Sequence, residues 1–207
     1  MAIVKGGLAQ GLSGKAGGVV FVLRDGNTYI RSLPERSKNS WSPRQQIHRV
    51  RFKAINDYCA KYKHSLIPQI WNLAGVHGHG YNQFLKANMP AFGPDGQLEE
   101  VEKLHFSAGK LPLPQNLKAT RSNDTPSKVD VSWINDTKLP KVNLQDELIM
   151  VAGYPDHRTT PIATGILRSK CNALIDLPDE YKTITGIYLF FAAYTKDAYS
   201  PDQYFGL

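Results

Sequence analysis

From Lys110 onward, short runs of apolar and β-branched residues alternate with turn residues, and that spacing restricts the second half of the chain to an all-β fold. The runs cover residues 117–120, 129–133, 147–152, 163–167, 173–177 and 187–194. They make six candidate strands, with room for a seventh, and their spacing predicts a β-sandwich. Pro112 and Pro114 mark the entry to it. Within the second run Val129, Val131 and Trp133 fall on one face, which makes Trp133 the natural core anchor. A chain of 207 residues divides best into two small domains, and 110–207 is the expected second one.

The first half reads differently. Six glycines fall within residues 5–18, and so permissive a backbone predicts an extended or looping arm over 1–18. Gly11, Gly14, Lys15 and Gly17 are its marked positions, and arms of this kind commonly serve assembly. Ser13-Gly14-Lys15 superficially suggests a phosphate loop. Ala9 stands where that loop needs its first glycine, however, and Ala16 replaces the hydroxyl residue that would hold magnesium. Residues 19–23 and 28–33 are β-prone runs around Asp25-Gly26, which predicts a hairpin carrying Tyr29 and Arg31. Ser42-Pro43 then reads as the start of a helix running to about residue 64, with Ile47, Val50, Ala54, Tyr58 and Tyr62 as its apolar stripe. A short apolar helix or turn around Ile67–Leu73 and a third helix over 81–89 follow. The fold class expected for 19–105 is therefore α+β, a hairpin plus a helical basic domain.

Charge separates the two halves as well. Residues 1–105 hold 14 Lys and Arg against 7 Asp and Glu, whereas the remainder holds 11 against 11, so the whole net charge of +7 sits in the first half. This asymmetry points to an acidic partner for that half. On the first helix Arg49, Lys53, Asn56, Ala60 and Lys63 lie opposite the apolar stripe, and Arg44 and Arg51 project nearer to it. Arg44, Arg49, Arg51, Lys53 and Lys63 are the candidates for contact with phosphate or an acidic neighbour, against the plainer reading of a solvated face.

No catalytic constellation is recognisable: the nucleophile-elbow, zinc-protease and dinucleotide-binding motifs are all missing. The acidic run Glu99-Glu100-Val101-Glu102 reads as solvated charge. His77-Gly78-His79 has too short a spacing, and no carboxylate or cysteine beside it, for a metal site. The expectation is a non-enzyme without a cofactor or a metal. Cys59 and Cys171, far apart, suit a reducing compartment as two small buried hydrophobes. No apolar run is long enough to cross a bilayer. The first residues lack the apolar core and cleavage site of a secretory signal, which predicts a chain acting in a cytoplasm or in a particle assembled there.

Three segments together resemble a known family: Gly11-x-x-Gly14-Lys15-x-Gly17, the hairpin ending Tyr29-Ile30-Arg31-Ser32-Leu33-Pro34, and Ser42-Pro43 followed by Gln46-x-x-Arg49-x-x-Phe52. The pattern is similar to an uncharacterised family, the domain of unknown function numbered 6266, found in Bacteroidetes genomes, prophages and phages. Trp71, Phe84, Asn88 and Gly93 match a related pattern of phage-type structural proteins. Ser42 stands where that family more often has Asn, and either residue caps a helix. The resemblance implies a fibronectin- or immunoglobulin-like C-terminal module, with which Leu113–Leu117 and Val131-Ser132-Trp133 agree.

The function expected from all this is that of a phage or prophage virion component, a head, connector, collar or tail-associated subunit. Its partners would be other copies of itself or other virion proteins, and it would not engage a membrane. The alternative is a nucleic-acid-binding or packaging-associated protein using the helix from Pro43 to about residue 64. A third reading is an adhesion or carbohydrate-binding module built on the β half.

Overall fold

The computed structural model describes residues 2–4, 7, 11–35, 41–74, 79–135, 139–178 and 181–207. These fall into two compact units, Met1–Pro43 and Arg44–Leu207. The protein is a mixed α+β fold, with three α-helices and eleven strands in three antiparallel sheets among the described residues.

The first unit is a single four-stranded sheet. Its strands are β1 (Ala2–Val4), β2 (Gly14–Ala16), β3 (Val19–Arg24) and β4 (Asn27–Ser32), ordered β1-β4-β3-β2. The centre is the expected hairpin: Arg24 pairs with Asn27, and Asp25 and Gly26 take φ of 51° and 76°. Two consecutive positive φ values twist the turn in the sense of the flanking strands, which is why Asp-Gly is favoured there. The arm expected over 1–18 differs from the structure, because its described parts include β1 and β2, paired along β4 and β3.

The second unit opens with α1 (Pro43–Ala60), α2 (Ile67–Leu73) and α3 (Gly80–Asn88). Helix α1 ends four residues before the expected boundary, and 61–64 continue as turns. Pro68 sits in the first turn of α2, where its missing N–H would have had no partner in any case. Seven strands follow: β5 (Gln115–Arg121), β6 (Lys128–Ile134), β7 (Glu147–Gly153), β8 (Ile162–Leu167), β9 (Asn172–Asp176), β10 (Gly186–Ala192) and β11 (Gln203–Gly206). They form one sheet ordered β11-β10-β7-β8 and another ordered β5-β6-β9.

The four-stranded sheet of this unit is covered on both faces. Leu148, Met150, Ala152, Ile187, Leu189 and Phe191 pack with Leu117, Val129, Val131, Trp133 and Ile175 of the three-stranded sheet. The intervening residues Ile149, Val151, Tyr188, Phe190 and Ala192 join a second core with Ile55, Cys59, Ile70, Trp71 and Phe84 of the helices. Helices and strands therefore share one compact unit, and the boundary expected near 105–110 falls instead at Pro43/Arg44.

The stretch between the helices and the first strand of the β half is a strap fixed to that half. The backbone N–H of Phe106 donates to Asp202 Oδ2 at 2.8 Å, Ser107 Oγ to the Ser200 carbonyl at 2.6 Å, and the Leu111 N–H to the Tyr199 carbonyl at 3.1 Å. At its head, buried Asn88 donates to the carbonyls of Phe84 and His105 and accepts from the His105 N–H. A Cβ on Gly109 would lie 2.1 Å from the Tyr199 carbonyl oxygen.

Two predictions separate a packed strap from a linker. In a linker Gly109→Ala would be neutral or slightly stabilising; here urea denaturation should show a loss of about 1–3 kcal/mol, the usual penalty of overpacking. The second concerns His105, whose ring Nδ1 lies 3.2 Å from Asp202 Oδ1. The hydrogen bond to that carboxylate raises the imidazole above its ordinary value despite partial burial. The protonated ring is thus favoured in the folded state, so its stabilisation is complete below the unfolded imidazole value and fades as pH rises through the folded one. His105→Gln should flatten the corresponding decline in stability between mildly acidic and mildly alkaline pH, measured by denaturation at each pH.

Candidate assembly surface

Directly paired residues of an antiparallel sheet point to the same side, so the register of the first unit sorts its side chains into two faces. One face carries Val19, Phe21 and Leu23 of β3 opposite Ser32, Ile30 and Thr28 of β4, with Gly14 and Ala16 continuing it on β2. It bears no charge. The other carries Val20, Val22 and Arg24 opposite Arg31, Tyr29 and Asn27, with Ile3 beside Tyr29 and Lys15 beside Val20. Among the described residues its charges are the cations Lys15, Arg24 and Arg31, with Arg24 paired to Asp25 of the turn at 3.5 Å.

Among the described residues of this unit, no second layer lies on either face. Val22, Leu23, Ile3 and Leu33 are each more than a third exposed, and Val19, Val20, Phe21, Tyr29 and Ile30 are half-buried. Among the described residues of the unit Thr28 alone is fully buried, and its Oγ1 accepts a hydrogen bond from the Gly11 N–H at 2.8 Å, which draws that part of the arm onto β4. The edges are also open. Strands β1 and β2 have three residues each, against six in β3 and β4. Val22–Arg24 on one side, and Arg31 and Ser32 on the other, therefore have no partner strand among the described residues.

Of the marked glycines, Gly11 and Gly17 lie in turns and Gly14 opens β2. Gly17 takes φ of 57° between β2 and β3, and Gly11 and Gly14 take 84° and 124°. A Cβ at any of the three would meet nothing within 4 Å, so it is the backbone conformation that calls for glycine. Gly14 and Lys15 lie in a strand and do not lead into a helix, which is a second reason they cannot form a phosphate loop.

The basic candidates of the second unit do not form one continuous row. Arg44, Arg49 and Lys53 are exposed on α1, but Lys63 lies beyond its end. Arg51 is half-buried and donates from Nη2 to the Met89 carbonyl at 2.9 Å, so it holds the fold together and is not presented to a partner. The apolar stripe divides too. Ala54 and Tyr58 pack against the core, whereas Ile47, Val50 and Phe52 are more than 40 % exposed, and the His48 ring stacks on Phe52 at 6.4 Å.

Trp133 is buried in the second unit, donates from Nε1 to the Arg168 carbonyl at 3.0 Å and meets the Phe191 ring edge-on at 5.5 Å. Cys59 is buried among the helices, and desolvation pushes its thiol up to about 12, which makes it inert. Cys171 is only half-buried and occupies a left-handed turn, φ 59°, unlike the expected core position. Glu100 pairs with Lys103 at 2.6 Å, and Glu99 and Glu102 are exposed. His77 lies outside the described residues. Among those described, no three His, Cys, Asp or Glu gather as a metal site, and no helix is long and apolar enough to cross a membrane.

The outer strands went unread because three-residue segments carry little periodicity; Ile3 and Val4 were the only β-branched signal in β1. Compared with known proteins, the chain matches no family model and no curated sequence. The bond between Gly11 and Thr28 gives a direct check on the arm's placement. Thr28→Val keeps the shape and removes the acceptor, so amide hydrogen exchange at Gly11 should accelerate about tenfold while the β3–β4 amides keep their protection.

Proposed function

We propose that this chain is a structural subunit of a phage-type particle, acting through protein–protein assembly. The observation that carries the proposal is the four-stranded sheet of the first unit, with exposed apolar residues on both faces and, among the described residues, edge segments without a partner strand. A sheet of this kind is marginal alone, and exposed edges accept strands from neighbours. The uncharged face and the edges suit another copy of the chain, because no charge opposes their approach. The face with Lys15, Arg24 and Arg31 suits an acidic protein neighbour. The resemblance of the first half to the phage-associated family supports the particle setting.

The β half is read here as a fibronectin-like sandwich module. Its support is the strand order, β5-β6-β9 on one sheet and β11-β10-β7-β8 on the other, with Trp133 on the second strand inside the shared core. Such a module would be displayed or packed sideways on the particle.

A second reading, nucleic-acid binding, is favoured by one observation: residues 1–64 hold 12 Lys and Arg against 3 Asp and Glu, while the rest of the chain holds 13 against 15. Arg44, Arg49 and Lys53 on α1 would then contact phosphates, with binding that falls steeply with salt.

Size-exclusion chromatography with light scattering and dual-wavelength absorbance distinguishes the two. Assembly predicts a defined oligomer free of nucleic acid, which Phe21→Asp or removal of residues 1–18 reduces to monomer. A chain that stays monomeric at every concentration overturns the assembly reading, and a monomer carrying nucleic acid that high salt strips away puts the second reading in its place.

A further inference from the structure

The loop 139–146, which leads into β7, and the turn 193–198, which follows β10, together enclose a cup of about 420 Å³, within the size range of small-ligand sites. Its polar lining is Lys141, Asn143, Asp146, Tyr194, Thr195 and Asp197.

One buried carboxylate holds the cup together. Asp146 is fully buried; its Oδ1 accepts from the Tyr194 N–H at 3.3 Å, and its Oδ2 accepts from the Asn143 N–H at 3.0 Å and from Arg168 Nη1 at 3.3 Å. Arg168 is buried in turn, donates to the Pro112 carbonyl at 2.6 Å and sits 4.9 Å from the centre of the Phe191 ring. Each loop is also closed on itself. The Gln145 N–H donates to Asn143 Oδ1 at 2.9 Å, and the Ala193 N–H donates to the Ala198 carbonyl at 2.8 Å. The walls are therefore set before any ligand arrives, which lowers the entropic cost of binding.

The electrostatics select against ions. Arg168 neutralises Asp146, and Lys196 pairs with Glu147 outside the cup. Among the described residues this leaves Lys141 and Asp197, one charge of each sign, so the described lining is neutral overall. Tyr194 is 55 % exposed although aromatic, and it lines the cup together with Lys141, Asn143 and Asp197, whose carboxylate is hydrogen-bonded to Thr195 Oγ1. A neutral lining that offers one aromatic face with donors and acceptors around it fits a ligand with one apolar face and several hydroxyls. We propose that this cup binds a pyranose ring of a neutral glycan, stacked on Tyr194 and hydrogen-bonded by Lys141, Asn143 and Asp197. The proposal is independent of the assembly reading.

Saturation-transfer difference NMR on the full chain, with glucose, galactose, mannose and N-acetylglucosamine as probes, tests it and tolerates any oligomeric state. At least one sugar should receive saturation mainly on the protons of one ring face. Tyr194→Ala should weaken that binding about tenfold, Tyr194→Phe should keep it, and Asp197→Ala should weaken it while circular dichroism stays unchanged. No transfer to any of the four sugars, or transfer equal in the wild type and in Tyr194→Ala, overturns the proposal. Transfer to an acidic peptide in place of the sugars overturns it as well.

Discussion

Strands β7 and β10 bury both of their faces, and the rest of the 44–207 unit is arranged around that constraint. Seven paired positions, from Gly186 opposite Gly153 to Ala192 opposite Glu147, send alternate side chains into two different cores. Toward one side Leu148, Met150, Leu189 and Phe191 meet the three-stranded sheet; toward the other Ile149, Val151, Tyr188 and Phe190 meet the helices. A sheet apolar on both faces needs a layer on each. The helices supply one and β5-β6-β9 the other, which is why the helical part and the β part cohere as one unit.

Polar groups inside this unit are placed where chain segments must be tied together. Asn88 ties the end of α3 to the strap through three hydrogen bonds. Arg168 and Asp146 join the loops around β7 and β10 to the entry at Pro112. The Tyr62 hydroxyl donates to the Arg158 carbonyl at 3.2 Å and that of Tyr188 to the Val101 carbonyl at 2.6 Å, fastening the helices and the strap to the central sheet. Buried donors and acceptors are costly when unmet, so each of these contacts favours one arrangement of the layers. The proposed sugar cup is a by-product of the same economy: the bonds that hold Asp146 also shape its walls.

The first unit shows the opposite condition. Its sheet has the alternation of a half-buried structure but no second layer among the described residues of the unit, and its outer strands are half the length of its inner ones. The assembly proposed above gives those faces and edges a neighbour to rest on. The distribution of charge, one face neutral and the other bearing Lys15, Arg24 and Arg31, assigns different kinds of neighbour to the two sides.

Local chemistry was legible in the sequence. Asp25-Gly26 dictated the hairpin turn because both positions need positive φ, Pro43 marked a helix start, and Val129-x-Val131-x-Trp133 announced an inward-facing strand. The unbroken apolar run from Ile187 to Ala193 also carried the mark of a strand buried on both faces, although it read simply as a strand. What only the tertiary structure decided was which segments meet. β11 and the three-residue strands have too little periodicity to be seen alone, and a linker and a packed strap share the composition of 106–111 until Gly109 lies against Tyr199. The role of Arg51 was equally hidden, because a basic residue on a helix looks the same whether it faces solvent or reaches the Met89 carbonyl. Residue type and spacing determine local conformation through short-range sterics and hydrogen bonding, but burial and pairing depend on atoms far away in the chain, and only the folded arrangement brings those together.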